Sequence, residues 1–235
     1  MINFIIFFFF LIIFIIMFKL IIIILLIIFI LNLFNIIEYF TNNNIYFMNK
    51  DETINFIIND EDNYIKNMSV YDLYARKVSS TNEYINLITN NCLDFTDEQK
   101  KIIKNNSNNS SFKIALIDNK YEEGYPHTRK DIIFISPDII NNYNLKRILK
   151  HELAHIKQRI NKTQFNNYDI SRKRNTELLI RANPDLDEYI YKNKDNLELY
   201  YIYSSDKPTG INDIIKINNL GEHPNEIEAY ELENI

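Results

Sequence analysis

Residues 4–34 are Ile, Phe and Leu with little else, and Lys19 is their only charge. Such a run exceeds the roughly 20 apolar residues that cross a bilayer as a helix. The sequence therefore predicts an N-terminal transmembrane helix within residues 1–37. A charge near the bilayer centre is costly, so Lys19 favours one tilted span with its ammonium drawn toward an interface. No Gly or Pro lies between the halves to turn a hairpin. A cleaved signal peptide fits less well, because its apolar core is normally about 7 to 15 residues and a small-residue cleavage pattern follows it. The expected setting is a single-pass membrane protein in contact with lipid. Its orientation is left open: no Lys or Arg precedes the span, and Lys50 beyond it is the nearest basic residue.

The rest of the chain is polar and rich in Asn, Ile, Lys and Tyr, and the whole carries a net charge of −5. No sustained basic stripe is present to neutralise phosphates, so no nucleic-acid partner is expected. Arg172, Lys173 and Arg174 read as a solvated helix face. Cys92 is the only cysteine, which excludes an intrachain disulfide and a Cys-based zinc site and suits a core position. Asn67, Asn105 and Asn161 open N-x-S/T sequences, acceptors only in a lumenal setting.

Residues 38–69 read as a stalk or linker and residues 70–235 as the folded domain. Helical spacing follows Val70, and Thr96 with Gln99 forms a capping box. Residues 112–117 and 132–135 are β-branched apolar runs separated by a turn-prone segment with Gly124 and Pro126, giving two strands. Ser136-Pro137 has the order of a helix start. Leu145, Ile148, Leu149, Leu153, Ile156 and Ile160 recur at steps of three and four, the stripe of a long amphipathic helix. Residues 176–181 and 186–191 read as helical patches, and Pro224 as the first residue of a last helix. The fold class is α+β.

His151-Glu152-Leu153-Ala154-His155 lies on the long helix. Residues i and i+4 share a helix face about 6 Å apart, so both imidazoles reach one metal ion while Glu152 addresses its bound water. This H-E-x-x-H pattern uses two of the four histidines of the chain. One zinc ion with His151 and His155 as ligands requires a third protein ligand. Gln158 and Asn161 occupy the Gly and His positions of the metzincin extension, so that arrangement is excluded. Downstream, Glu226-Ile227-Glu228-Ala229 puts a carboxylate in a first helical turn.

This segment resembles the E-x-x-A element that supplies the third ligand in gluzincin zinc metallopeptidases. With Pro126-His127-Thr128-Arg129, Arg181-Ala182-Asn183-Pro184-Asp185 and residues 222–230, the chain also resembles metallopeptidase-like proteins encoded by giant DNA viruses, over roughly residues 112–232. The resemblance implies a zincin-like domain with a small mixed sheet and an active-site helix, Glu226 as third ligand, and a host or virion membrane as the location. Glu222, His223, Glu228 and Glu231 are the competing ligands. Glu228 points about 200 degrees away from Glu226 on a helix, so the two cannot face one metal. It further implies that residues 131–136 form the rim strand that pairs with an extended substrate.

The implied activity is hydrolysis of protein or peptide bonds by a zinc-activated water, with Glu152 as general base. Tyr230 and His127 are the candidates for stabilising the oxyanion. Arg181 and Asp185 are expected to form a loop-stabilising ion pair without a catalytic role. The alternative is a catalytically inactive zincin-like module that binds or scaffolds at a membrane.

Overall fold

The computed structural model describes residues 44–107, 110–161, 168–216 and 223–233, and the first element among these residues starts at Ile45, inside the segment read as a linker. The chain divides after Asn43, and Asn44–Ile235 is one unit. The expected linker is thus corrected from residue 44 onward, and local chemistry explains why. After β1 (Ile45–Phe47), Asn49 and Glu52 form a capping box that starts α1 (Lys50–Asn59), which buries Phe56 and Ile57. Ser69 and Asp72 make a second box at α2 (Val70–Ala75), and Ser80 caps α3 (Thr81–Thr89). Then follow β2 (Cys92–Leu93) and α4 (Asp97–Asn106), opened by the predicted Thr96–Gln99 box. Among the described residues no helix is long and apolar enough to cross a membrane, and the anchor expected over 1–37 lies outside them.

The main sheet is built on β3 (Phe112–Ile117), with β4 (His127–Arg129) and β5 (Ile132–Ile135). Its order is β1-β3-β5-β4, and β2 pairs with the far end of β3. The pairs β1/β3 and β3/β5 are parallel, whereas β4 runs antiparallel to β5. Ala115, Ile117, Ile132 and Phe134 face the core made by α1 and α3. Ile114, Leu116, Ile133 and Ile135 face the other way, against α5 (Pro137–Ile140) and α6 (Leu145–Asn161). Two covered faces are why these strands read as unbroken apolar runs.

Leu145, Leu149 and Ile156 anchor α6 on the sheet, but Ile160 is 71% exposed, so the predicted stripe ends one turn early. Beyond α6 the chain forms a sheet of β6 (Asp169–Lys173), β7 (Tyr189–Lys192) and β8 (Glu198–Leu199). The pair β9 (Tyr201–Tyr203) and β10 (Ile214–Lys216) follows, and then α7 (Pro224–Glu233), with Pro224 first as predicted.

Three other expectations are corrected. Residues 176–181 and 186–191 are not helices, because Asn175, Asn183 and Asp187 take backbone N–H groups two residues on and hold the chain in Asx turns. Arg172 and Lys173 lie on β6, and Arg174 turns inward to Asp72 and to the carbonyls of Asn67 and Ile180. The segment 131–136 is no rim, since β5 has neighbours on both sides. On this side the sheet ends at β4, where Asp185 accepts from the Thr128 N–H and Arg159 donates to the Thr128 carbonyl at 3.0 Å. An added strand therefore finds no free ladder at Thr128.

Arg129 is fully buried between the rings of Phe56 and Tyr64, and its guanidinium bonds Asp60 at 2.9 Å and Asp62 at 2.6 Å. It ties the β4–β5 hairpin to the loop after α1. Removing one partner of a buried pair strands the other charge, so Arg129→Met is expected to cost about 3–5 kcal/mol in urea unfolding. A loss below about 1 kcal/mol would place it with surface pairs.

Candidate metal centre

α6 carries His151 and His155 one turn apart on the flank that the sheet does not cover. α7 closes over that flank. Ala229 is fully buried, so the helices approach closely, and Gln158 links them by donating from Nε2 to the Asn225 carbonyl and to Glu228, both at 2.9 Å. The Glu226 N–H bonds the His223 carbonyl at 2.9 Å, fixing the first turn of α7.

These contacts bring His151, His155 and Glu226 together, with one donor atom from each lying within 4.8 Å of the others. The two Nε2 atoms are 3.1 Å apart, and the Glu226 carboxylate oxygens lie 3.4 Å from His151 Nε2 and 3.7 Å from His155 Nε2. Zinc bonds of about 2.0–2.1 Å in tetrahedral directions separate donor atoms by about 3.3–3.4 Å, close to the His151–His155 spacing and to that between His151 and Glu226 Oε2, while the oxygen 3.7 Å from His155 is the other one, Oε1. Two nitrogens and one carboxylate also form the donor set of an open catalytic site. The remaining ring nitrogens face acceptors. His155 Nδ1 meets Gln158 Oε1 at 3.0 Å, and His151 Nδ1 lies 3.4 Å from Glu233 Oε2, an electrostatic contact without hydrogen-bond geometry. A proton on Nδ1 leaves the Nε2 lone pair for a metal.

The charge states suit this role. Burial holds the His155 imidazole down at about 4, so it is neutral at physiological pH. Burial pushes the Glu226 carboxyl up, but the His151 hydrogen bond and the imidazoles of His155 and His223 outweigh it, and the group stays anionic. For His151, burial works against protonation while Glu226, Asp185 and Glu233 prevail and raise its pKa.

Glu152 is 3% exposed, and its Oε2 has no hydrogen-bond partner. Burial, then the charges of Asp185 and Glu226, raise its pKa well above the carboxylate range, with Arg159 opposing. Asp185 is lifted to about 6 by burial and by Glu226.

The other sequence candidates separate clearly. Tyr230 comes to the site, its ring centroid 4.8 Å from that of His151. His127 does not join the triad: it is buried, stacked on Phe134 with centroids 5.2 Å apart, and its Nδ1 bonds the Tyr125 carbonyl. His223 packs edge-on to Tyr191, Glu228 is taken by Gln158, and Glu231 is exposed. Glu222 lies outside the described residues. The expected Arg181–Asp185 ion pair is absent among the described residues. Asp185 instead accepts from the Thr128 N–H, and the His127 imidazole and the Arg159 guanidinium favour its anion.

Sequence reasoning missed Gln158, Glu233, Arg159 and Asp185. Three of these had a signal in spacing: Gln158 is i+3 from His155, Arg159 is i+7 from Glu152, and Glu233 is i+7 from Glu226, each pair on one helix face. Asp185 had none, since only the chain path of the 174–188 loop brings it there. Partners that orient a metal-binding histidine typically contribute about 10–100-fold in affinity. Gln158→Leu is thus expected to weaken zinc binding by about that factor in competition with a chromogenic chelator, with an unchanged value removing its orienting role.

Comparison of the chain with family models, with curated proteins and with solved structures gave no match.

Proposed function

We propose that this protein is a zinc metallopeptidase of zincin-like, gluzincin type, tethered to a membrane by its apolar N-terminal segment. The observation that carries the reading is the convergence of His151, His155 and Glu226 at zinc-compatible spacing, with a buried carboxylate of Glu152 beside them. Zinc, when bound, acidifies a water molecule and polarises a carbonyl group.

The remaining work falls to the side chains. Glu152 takes a proton on its unpartnered Oε2 and delivers it to the departing amine. Arg159 is the positive group that favours the Glu152 anion, the form that accepts the proton. Tyr230 is the proposed hydroxyl donor to the oxyanion, since it alone of the two sequence candidates lies against His151. Gln158 holds the His155 imidazole by a hydrogen bond, and Glu233 faces the His151 ring electrostatically.

The test uses the full chain in detergent. Metal analysis should return about one zinc per chain, and a peptide library should be cleaved only with the metal present. A zinc-loaded chain that cuts nothing would leave the inactive binding module as the better reading.

A further inference from the structure

A cleft of about 380 Å³ has walls that include Arg159, Arg181, Leu186, Tyr201 and His223. It is connected to the triad through Arg159 on α6 and through His223, the residue just before α7. Arg159 follows His155 by one turn of α6, and His223 holds the first turn of α7 through the Glu226 N–H. His223 is also within electrostatic range of Glu226 and His155.

Two hydrogen-bond donors on this wall make no full hydrogen bond. The Arg181 Nε is buried without a partner, and among the described residues its guanidinium meets no carboxylate. His223 is 5% exposed, and its Nδ1 accepts the Asn225 N–H at 3.2 Å, which places the ring proton on Nε2. That Nε2 makes no full hydrogen bond: the Tyr189 carbonyl draws on its proton, and the nearest carboxylate is Asp187 at 3.9 Å. Other cations on the wall are already paired, Lys173 with Glu188 and Arg174 with Asp72. Unused buried donors are costly unless a ligand supplies acceptors. A carboxylate is an acceptor that suits both a guanidinium and an imidazole N–H.

We propose that this cleft binds a carboxylate of the peptide substrate, with Arg181 as the specificity-determining residue and His223 Nε2–H as the second donor. The carboxylate belongs either to an acidic side chain near the cleaved bond or to the peptide C-terminus. The cleft's role in substrate choice rests on the peptidase reading, but carboxylate binding is measurable without cleavage.

The experiment measures fluorescence anisotropy of labelled peptides on the full chain in detergent, carrying Glu152→Gln to prevent turnover. Four peptides are compared: a Glu-containing peptide and its Gln counterpart, each as free acid and as C-terminal amide. A carboxylate held by a charge-assisted hydrogen bond is expected to bind about 10–100-fold more tightly than its amide counterpart. The Glu/Gln arm and the acid/amide arm identify which carboxylate is held. Arg181→Gln should erase the preference, and Arg181→Lys should keep part of it.

Equal binding of all four peptides overturns the proposal, even if the Arg181 variants fail to fold. So does a preference that survives Arg181→Gln. Loss of cleavage by the zinc-loaded native chain with the carboxylate preference intact removes the peptidase reading and leaves the cleft assignment standing. Cleavage without the preference does the reverse.

Discussion

Glu152→Gln in the full chain is expected to leave zinc bound and lower peptide hydrolysis by about 10²–10⁴-fold, the usual contribution of a general acid–base group. The amide matches the carboxylate in volume, so the packing of α6 against α7 is kept. It is not one of the three converging ligands, so zinc stoichiometry should not change. Stability should not fall either, because the native carboxyl is buried with Oε2 unpaired and sits among the charges of Asp185 and Glu226. Three readings are therefore needed on one sample: zinc content, urea midpoint and kcat. Activity within a few-fold of the native chain, with zinc retained, removes Glu152 as the base. Loss of zinc together with activity would show instead that Glu152 holds the metal.

The second large effect is on metal binding. Glu226→Gln, His151→Ala and His155→Ala each remove one of three donors, and each is expected to weaken zinc by more than the about 10–100-fold of an orienting partner. Proton competition gives a finer test. With His155 held down at about 4 and Glu226 anionic, His151 is the one ligand with a raised pKa, so zinc displaces its proton. Below the raised His151 pKa, affinity should fall about tenfold per pH unit, with about one proton released per zinc. Calorimetry in buffers of different ionisation enthalpy counts that proton. Release of two protons near pH 6 would mean that His155 is charged before binding, contrary to its burial.

In the metal-free protein the sign is the usual one for a histidine that gains a partner. The His151–Glu226 interaction contributes stability fully below the unfolded pKa of about 6.5, and it is lost as pH rises through the raised folded value. Glu122 acts in the opposite sense. Burial pushes its carboxyl up, but the Arg76 guanidinium, bonded at 2.7 Å, brings it to about 2. Its contribution is present above the ordinary carboxylate range and disappears as pH falls toward 2.

Patterns within one helix or strand were legible from residues alone. The Thr96–Gln99 box, the β3 and β5 runs, the amphipathic start of α6 and Pro224 at the head of α7 are all set by neighbours a few residues apart. The strand β4 was not, because His127, Thr128 and Arg129 are polar by composition and buried only through Asp60, Asp62, Asp185 and the ring of Phe134. The 38–69 segment misled for a related reason. Its charged residues cap and brace α1 and its apolar ones meet strands more than forty positions away.

The sequence by itself determined the pair His151 and His155 and the carboxylate between them, because a 3.6-residue period fixes what shares a helix face. It also fixed the relation of Glu226 to Tyr230 and Glu233 along α7 by the same period. Only the tertiary structure decided that α7 lies across α6, so that Glu226 rather than His223, Glu228 or Glu231 meets the imidazoles. That choice depends on Ala229 allowing close approach and on Gln158 bonding across the gap, contacts between residues some seventy positions apart. No local periodicity encodes such a contact, and the same packing separates Arg181 from Asp185 and leaves its charge facing the cleft.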